Sequence, residues 1–449
     1  MSESLLSVYD LLLPPIYLLI VLSYAYIVTK KNIKTNPEYK YFIPGLIARI
    51  SGAIALGLVY FFYYDGGDTT NYYQSATAYV NLFFHNKENF FEGWLGNPPS
   101  ASSWSFFNQD TGYPVYSHRD SHSFFVVRLL IPLMAVSFNS YFTCAIVVAL
   151  TTFGGLWKLY QTFLQEFPDI QKELSIACLF IPSCVFWGSG LMKDSFTLSA
   201  VGWFTYAFYN FFIKKKRKLN FGIYLLVSSF VILAIKPYIF FALLPGAILW
   251  LSNQQIKKIN HTVIRVLATP FLLTIGVIGG YLALVQMGDN LGQYKVDNVL
   301  DKAVVTQRDM KSDHYGGKSF DIGDFDASIS GIISVAPLAI FAGIFRPGIW
   351  DVRNAVMAVS SLENTYLLSL TIFLLIKLKF LGFFVLIRKN PLLLFAMLFS
   401  LFFAFSVGLS ISNFGSLVRL RIPELPFFVS GIFILRHLYE KQSGEKVKF

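Results

Sequence analysis

Apolar runs long enough to cross a bilayer recur from one end of this chain to the other. A hydrocarbon core of ~30 Å takes about 20 apolar residues in a helix. Such runs are found near 11–29, 42–62, 141–163, 174–191, 195–213, 219–235, 238–252, 264–286, 360–386, 391–410 and 422–438. A water-soluble domain cannot bury that much hydrocarbon. The expected fold is therefore all-α, a polytopic transmembrane helical bundle of about 11 spans that forms a single integral membrane domain over 1–449. The chain is 55% hydrophobic and 14% charged, with 46 Phe, 25 Tyr and 7 Trp. Aromatic residues at that density suit lipid-facing helices and interfacial belts.

The net charge of +11 would, in a soluble chain, point to nucleic acid. Here the basic residues fall in short clusters between apolar runs: Lys30, Lys31 and Lys34; the stretch Lys214–Lys218; Lys257, Lys258 and Arg265; Arg388 and Lys389; and Arg436, Lys441, Lys446 and Lys448. That is how a membrane protein is oriented, with its clusters in the cytoplasm. No nucleic-acid partner is expected, and the lipid bilayer is the first partner. The N-terminus has neither a basic n-region nor a clear cleavage site, so its first apolar run is expected to be a retained span. Cys144, Cys178 and Cys184 all lie in apolar runs and match no disulfide or zinc spacing.

Orientation also fixes parity. An odd number of crossings must separate the stretch 65–122 from the basic Lys214–Lys218, yet four apolar runs lie between them. The weakest, His122–Ser137, holds Arg128 and Pro132 and is expected to be interfacial or re-entrant. The same argument makes 329–345, with Pro337, the second such helix. The N-terminus then lies outside, the C-terminus inside, and 65–122 and 287–327 form external loops.

This topology gathers the remaining charges at one face. Lys193 and Asp194 interrupt about 40 apolar residues between Leu174 and Ile213. Charge in such a run is costly and by default functional. Two spans meeting at Gly188-Ser189-Gly190 would place the pair at a surface. Asp194 reads equally as helix N-cap or reactant, and Lys193 as a phosphate ligand or half of a structural ion pair. Asp65 and Asp68 sit in a DGGD turn flanked by tyrosines; they can activate an acceptor hydroxyl, hold a divalent metal, or simply form a solvated turn. Lys236 precedes Pro237, where it either binds anions or snorkels to the interface. Arg346, Asp351 and Arg353 follow the second re-entrant candidate, which needs a protein-lined cavity; otherwise they anchor it with Trp350. Arg419 and Arg421 can grip phosphate in bidentate fashion, but two residues apart they do not share a helix face. Glu363 is either a helix-start acid or a second candidate base. Arg128 reads both as a site residue and as a snorkelling one. His118 and His122 have i,i+4 spacing but no third metal ligand, which favours an ordinary loop. No Walker, dinucleotide, HExxH or GxSxG motif is present. No cofactor is expected beyond a divalent metal at Asp65 and Asp68.

Taken in order, the DGG-D-T turn, PS-x-x-FWGSGLMKDS, KPY, FRP-x-x-WD and NFG-x-x-x-R-x-R-x-P resemble bacterial multispanning proteins of surface-polysaccharide assembly. That group is described as O-antigen-polymerase-like, or as similar to C-superfamily membrane glycosyltransferases. The motifs spread over roughly 60–430. Two departures stand out: Lys236 replaces an expected Arg, and Asp351 an expected Glu; charge survives both, but geometry need not. The resemblance implies a polyprenyl-diphosphate-linked glycan handled at the outer face of the bacterial inner membrane. It implies that Lys193, Lys236, Arg346, Arg353, Arg419, Arg421 and Arg128 would hold diphosphate, that Asp68, Asp65 or Glu363 would deprotonate the acceptor, and that other polysaccharide-assembly proteins would be partners. The competing expectations are a flippase for the same lipid-linked glycan and a non-catalytic envelope component.

Overall fold

The computed structural model describes residues 6–96, 101–115, 120–216, 218–257, 319–323, 325–326, 328–353 and 355–444, with the isolated positions 261, 267, 271, 274 and 305. Among these the chain is helical, apart from a single β-bridge between Ser319 and Asn413. In chain order the α-helices are α1 (Tyr9–Asn32), α2 (Phe42–Phe62), α3 (Asp68–His85), α4 (Lys87–Leu95), α5 (Ser121–Val136), α6 (Tyr141–Glu166), α7 (Gln171–Leu179), α8 (Pro182–Trp187), α9 (Lys193–Phe208), α10 (Leu219–Ile235) and α11 (Pro237–Lys257). They continue with α12 (Ile329–Phe345), α13 (Ala355–Lys389), α14 (Pro391–Ser410), α15 (Phe414–Leu420) and α16 (Leu425–Ser443).

Among the described residues five helices are long and apolar enough to cross a membrane: α1, α2 with its preceding turn, α6, α13 and α14. Shorter apolar helices are α5, α10, α11 and α12. Large apolar side chains face outward. Leu11 is 77% exposed and Leu19 69% in α1, as are Leu226 (72%) in α10 and Ile376 (71%) in α13. Water cannot solvate such continuous faces but lipid can, so the protein is embedded in a membrane. The run near 264–286, most of the loop 287–327, and His118, Arg217, Lys258, Arg265, Lys446 and Lys448 lie outside the described residues.

The chain divides into two compact units. One comprises Met1–Leu159, Cys184–Thr205 and Tyr224–Lys236; the other comprises Tyr160–Ser183, Tyr206–Ile223 and Pro237–Phe449. In the first, α3 packs along α5 and α1 along α2. The stretch 65–122, expected as a loop, contains α3 and α4 instead. The α3 helix buries Thr69, Tyr72, Tyr73, Ala76, Tyr79 and Val80, the i, i+3, i+4 stripe of an amphipathic helix. Its stripe is built from Thr, Tyr and Ala, so hydropathy alone overlooks it.

In the second unit α14 packs against α11, α12 and α16. The α12 helix, expected to be interfacial or re-entrant, is continuous through Pro337. Its Ala339-x-x-x-Gly343 faces Ala404-x-x-x-Gly408 of α14. A Cβ on Gly408 would lie 2.0 Å from the Ala339 carbonyl oxygen, and one on Gly343 2.3 Å from that of Ala404. Small residues four apart let membrane helices approach to backbone contact. Gly408→Leu is therefore expected to force the two apart, at a cost of about 1–3 kcal/mol or more. Thermal unfolding in detergent measures it, and an unchanged midpoint would mean that the crossing is looser than described.

Two apolar runs break where continuous spans were expected. The run 174–191 is divided into α7 and α8 by Phe180 and Ile181. Pro182 opens α8, and proline disfavours helical geometry in the residue before it. Lys379 interrupts α13 with φ 56° and ψ 155°.

Candidate functional site

Each unit holds a cluster of buried charge. In the first, the cluster is assembled from three helix ends. Asp120 caps α5: its carboxylate accepts from the backbone N–H of His122 (3.2 Å) and Ser123 (3.1 Å) and from Ser123 Oγ (2.6 Å). An Asp two or three residues ahead of free N–H groups is a strong helix start. The Gly188–Met192 turn ends at Lys193, the first residue of α9, whose Nζ donates to Asp120 Oδ2 at 2.9 Å. Asp194 lies in the first turn of α9 rather than ahead of it, and its Oδ1 pairs closely with Lys236 Nζ. Lys236 stands between α10 and Pro237. His122 Nδ1 lies 2.8 Å from the Ala234 carbonyl oxygen, joining the start of α5 to the end of α10.

The result is two ammonium groups and two carboxylates, neutral as arranged. Lys193 lies close enough to Asp194 and Lys236 to feel both charges. The two halves differ in access. The Asp194 and Lys236 side chains are 0% and 4% exposed, whereas those of Asp120 and Lys193 are 39% and 16%. The inner pair is sealed, and of the two ammonium groups Lys193 is the more accessible, behind the Asp120 carboxylate. Burial would raise the Asp120 carboxyl, but the Ser123 hydroxyl, the Lys193 ammonium and the His122 N–H outweigh it and hold the group at about 2. The Asp120 contribution to stability is thus complete above the ordinary carboxylate value of 3.8 and fades as pH falls through about 2.

The remaining predicted residues of this unit stand in other settings. Asp65 is exposed, at φ 51°, and Asp68 begins α3. Gly66 and Gly67, at φ 119° and 136°, shape the turn between them. Among the described residues no three His, Cys, Asp or Glu side chains gather as a metal site. The Arg128 guanidinium lies over the Phe124 ring, 4.6 Å from its centroid, and donates to the Gly96 carbonyl oxygen.

In the second unit Arg421, fully buried, is the hub. Its Nη1 donates to the carbonyl oxygens of Ile344 and Arg346, both at 2.9 Å, and its Nη2 to Asn364 Oδ1. Glu363 Oε1 is 3.9 Å from Nη2, and its Oε2 accepts the Ser183 N–H at 2.9 Å. Asn364 Nδ2 returns a bond of 2.7 Å to the Pro347 carbonyl oxygen. Arg421 therefore laces the end of α12 and the Arg346-Pro347 turn to α13. Glu424 is also fully buried; neither of its carboxylate oxygens makes a hydrogen bond within the described structure, and its charge faces Arg421. Arg346 is held by Asp351 through two bonds, Nε to Oδ2 at 3.1 Å and Nη2 to Oδ1 at 2.7 Å, and its guanidinium lies beside the paired rings of Phe320 and Phe414. Arg353 is exposed and Arg419 half-buried.

The structure thus brings together Lys193, Asp194 and Lys236 in one cluster, and Arg346, Asp351, Glu363 and Arg421 in another. It adds residues that were not singled out. Asp120 and Asn364 carry no sequence signal beyond an Asp-x-x-Ser cap and an ordinary helical Asn. Arg49 did carry one, as the sole charge inside the run 42–62. It is 3% exposed, donates from Nη2 to Thr152 Oγ1 at 3.1 Å, and has no hydrogen-bond partner for Nε or Nη1 among the described residues. A Cβ on Gly188 would lie 3.1 Å from Arg49 Nη1, so the glycine makes room for the guanidinium. Comparisons with models of protein families, with curated proteins and with solved structures gave no match.

Proposed function

We propose that this protein is a membrane glycan polymerase or glycosyltransferase that uses a polyprenyl-diphosphate-linked sugar donor at the outer face of the bacterial inner membrane. The observation that carries the proposal is the partly exposed Lys193–Asp120 pair at the edge of an ionic quartet whose other half, Asp194 and Lys236, is buried. An incoming diphosphate can displace Asp120 from Lys193, while the sealed Asp194–Lys236 pair fixes the start of α9 behind it. A charge-assisted contact of this kind stabilises negative charge gathering on a leaving group. In the reaction the bond from the sugar anomeric carbon to phosphate breaks and a bond to the acceptor oxygen forms. The acceptor proton goes to a carboxylate, with Asp68 and Asp65 of the same unit as the candidates, and polyprenyl diphosphate leaves; Glu363, held by Ser183 and beside Arg421, is left to its own cluster. The orientation drawn from the basic clusters, with N-terminus outside and C-terminus in the cytoplasm, belongs to this reading, as do about 11 spans in all.

A second reading, a flippase for the same lipid-linked glycan, draws support from the broken run at α7 and α8. Interrupted helices at membrane depth line cavities, and in transporters they bind the substrate. Deleting the gene and separating surface polysaccharide by length distinguishes the readings. Accumulated single repeat units are expected for a polymerase and truncated units for a transferase, with neither rescued by Lys193→Ala. Precursor trapped on the cytoplasmic side would favour the flippase. Polysaccharide of normal length and amount would overturn the proposal.

A further inference from the structure

The break in α13 builds a further charged site in the second unit, lined by none of the residues of the Arg421 cluster. The stretch from Ala355 to Leu378 is ~36 Å long at 1.5 Å per residue, already enough for a ~30 Å hydrocarbon core. The helix is then interrupted at Lys379, between the exposed Lys377 and the exposed Phe380 (69%) and Leu381 (78%). Beyond the break, Phe383, Leu386 and Ile387 are buried, Phe380, Leu381 and Phe384 face outward, and Arg388 and Lys389 close the segment. A short helix with one face on the protein, an apolar face outward and a basic end is suited to lying in the membrane interface.

Between this segment and the end of α16 is a cavity of about 320 Å³, lined by Lys377, Lys389, Tyr439, Gln442 and Ser443 among others. Its volume falls at the lower end for small-molecule sites, ~300–1,000 Å³. Two ammonium groups from one side and the Gln442 amide from the other are a donor set for phosphate oxygens, while the Ser443 hydroxyl donates to the Tyr439 carbonyl oxygen at 3.0 Å. The outward Phe380, Leu381 and Phe384 beside it would lie along acyl chains. We infer that this cavity binds the headgroup phosphate of an anionic phospholipid, docking the basic end of α13 and the C-terminal end of α16 onto the membrane surface. A basic pocket between membrane helices is a physical match for such headgroups. A free phosphate would satisfy the lysines but leave the apolar flank without a partner, which favours the lipid. The inference does not depend on the glycan reading.

The test uses the full-length protein in a neutral detergent, titrated with short-chain phosphatidylglycerol, short-chain phosphatidylcholine or inorganic phosphate, with bound ligand counted by native mass spectrometry. Phosphatidylglycerol is expected to be retained selectively, and the Lys377→Gln, Lys389→Gln double variant to bind it about 10- to 30-fold more weakly. Ser443→Phe, which fills the cavity and leaves both lysines, is expected to lose it as well. It decides the matter if the lysine variant fails to fold. Equal retention of the two lipids, unchanged binding in a folded variant, or displacement of phosphatidylglycerol by equimolar inorganic phosphate would overturn the inference.

Discussion

Asp194→Ala is expected to destabilise the detergent-solubilised protein by about 3–5 kcal/mol, because it leaves the buried Lys236 ammonium without its carboxylate. Lys236→Met should cost a similar amount for the mirror reason. The two side chains are 0% and 4% exposed, so water cannot replace the missing partner. The pair removed together, Asp194→Leu with Lys236→Met, is expected to recover most of the loss, since an apolar pair of similar volume carries no desolvation penalty. The double-mutant cycle, read by denaturant titration of helicity, isolates this coupling. Single variants within about 1 kcal/mol of wild type would mean that the pair is not sealed as described. Lys193→Ala, at the more accessible end of the same cluster, gives up the Asp120 pair and should cost about 1 kcal/mol, less than breaking the sealed pair, while removing activity. That contrast separates the residue that meets substrate from the residues that position it.

The second large effect concerns Arg421. Its removal strands two buried carboxylates, Glu363 and Glu424, and unties the carbonyl oxygens of Ile344 and Arg346 together with Asn364. Arg421→Ala is expected to cost about 3–5 kcal/mol or to prevent folding. Arg421→Lys should not rescue it, because a single ammonium cannot span donors placed for a planar fork. Glu424→Gln is expected to behave in the opposite way. The Glu424 carboxylate makes no hydrogen bond within the described structure and shares Arg421 with Glu363, so the neutral amide is expected to leave stability within about 1 kcal/mol of wild type. Expression level and thermal midpoint of the three variants in detergent check the set. A stable Arg421→Ala protein would show that the hub does not hold α12 to α13.

These expectations divide Arg421 from Lys193 in a way the sequence did not. In the linear chain both are isolated cations near a helix end. In the fold Arg421 is consumed by backbone carbonyls and by side chains of its own unit, while Lys193 keeps a route outward. Arg346 is likewise occupied, by Asp351 and two aromatic rings.

How far the sequence could be read follows the same physics. The helices at 42–62, 219–235 and 391–410 match their apolar runs, because each run is apolar nearly throughout, with Arg49 the one charge, and is bounded by polar, aromatic or turn residues. Hydropathy has no sensitivity to a break inside an apolar run, so the division of 174–191 ahead of Pro182 and the interruption at Lys379 went unread. It also overlooks burial by Thr and Tyr, and so α3 was expected as loop. For the site, Lys193 and Asp194 stood out because their charges interrupt hydrocarbon. The pairings did not: Asp120, which nothing singled out, is 73 positions from Lys193, and Lys236, noted only for its place before Pro237, is 42 from Asp194. No local pattern records such pairings.

The central claim, transfer of a glycan from a polyprenyl diphosphate with Lys193 at the leaving group, is tested most directly with the purified protein in phospholipid vesicles. The vesicles carry a polyprenyl-diphosphate-linked glycan from the host, and release of polyprenyl diphosphate is measured alongside growth of the glycan. The account predicts release coupled one-to-one to glycan transfer, and its loss in folded Lys193→Ala protein. Intact donor after incubation with folded wild-type protein, or undiminished release with Lys193→Ala, would contradict it.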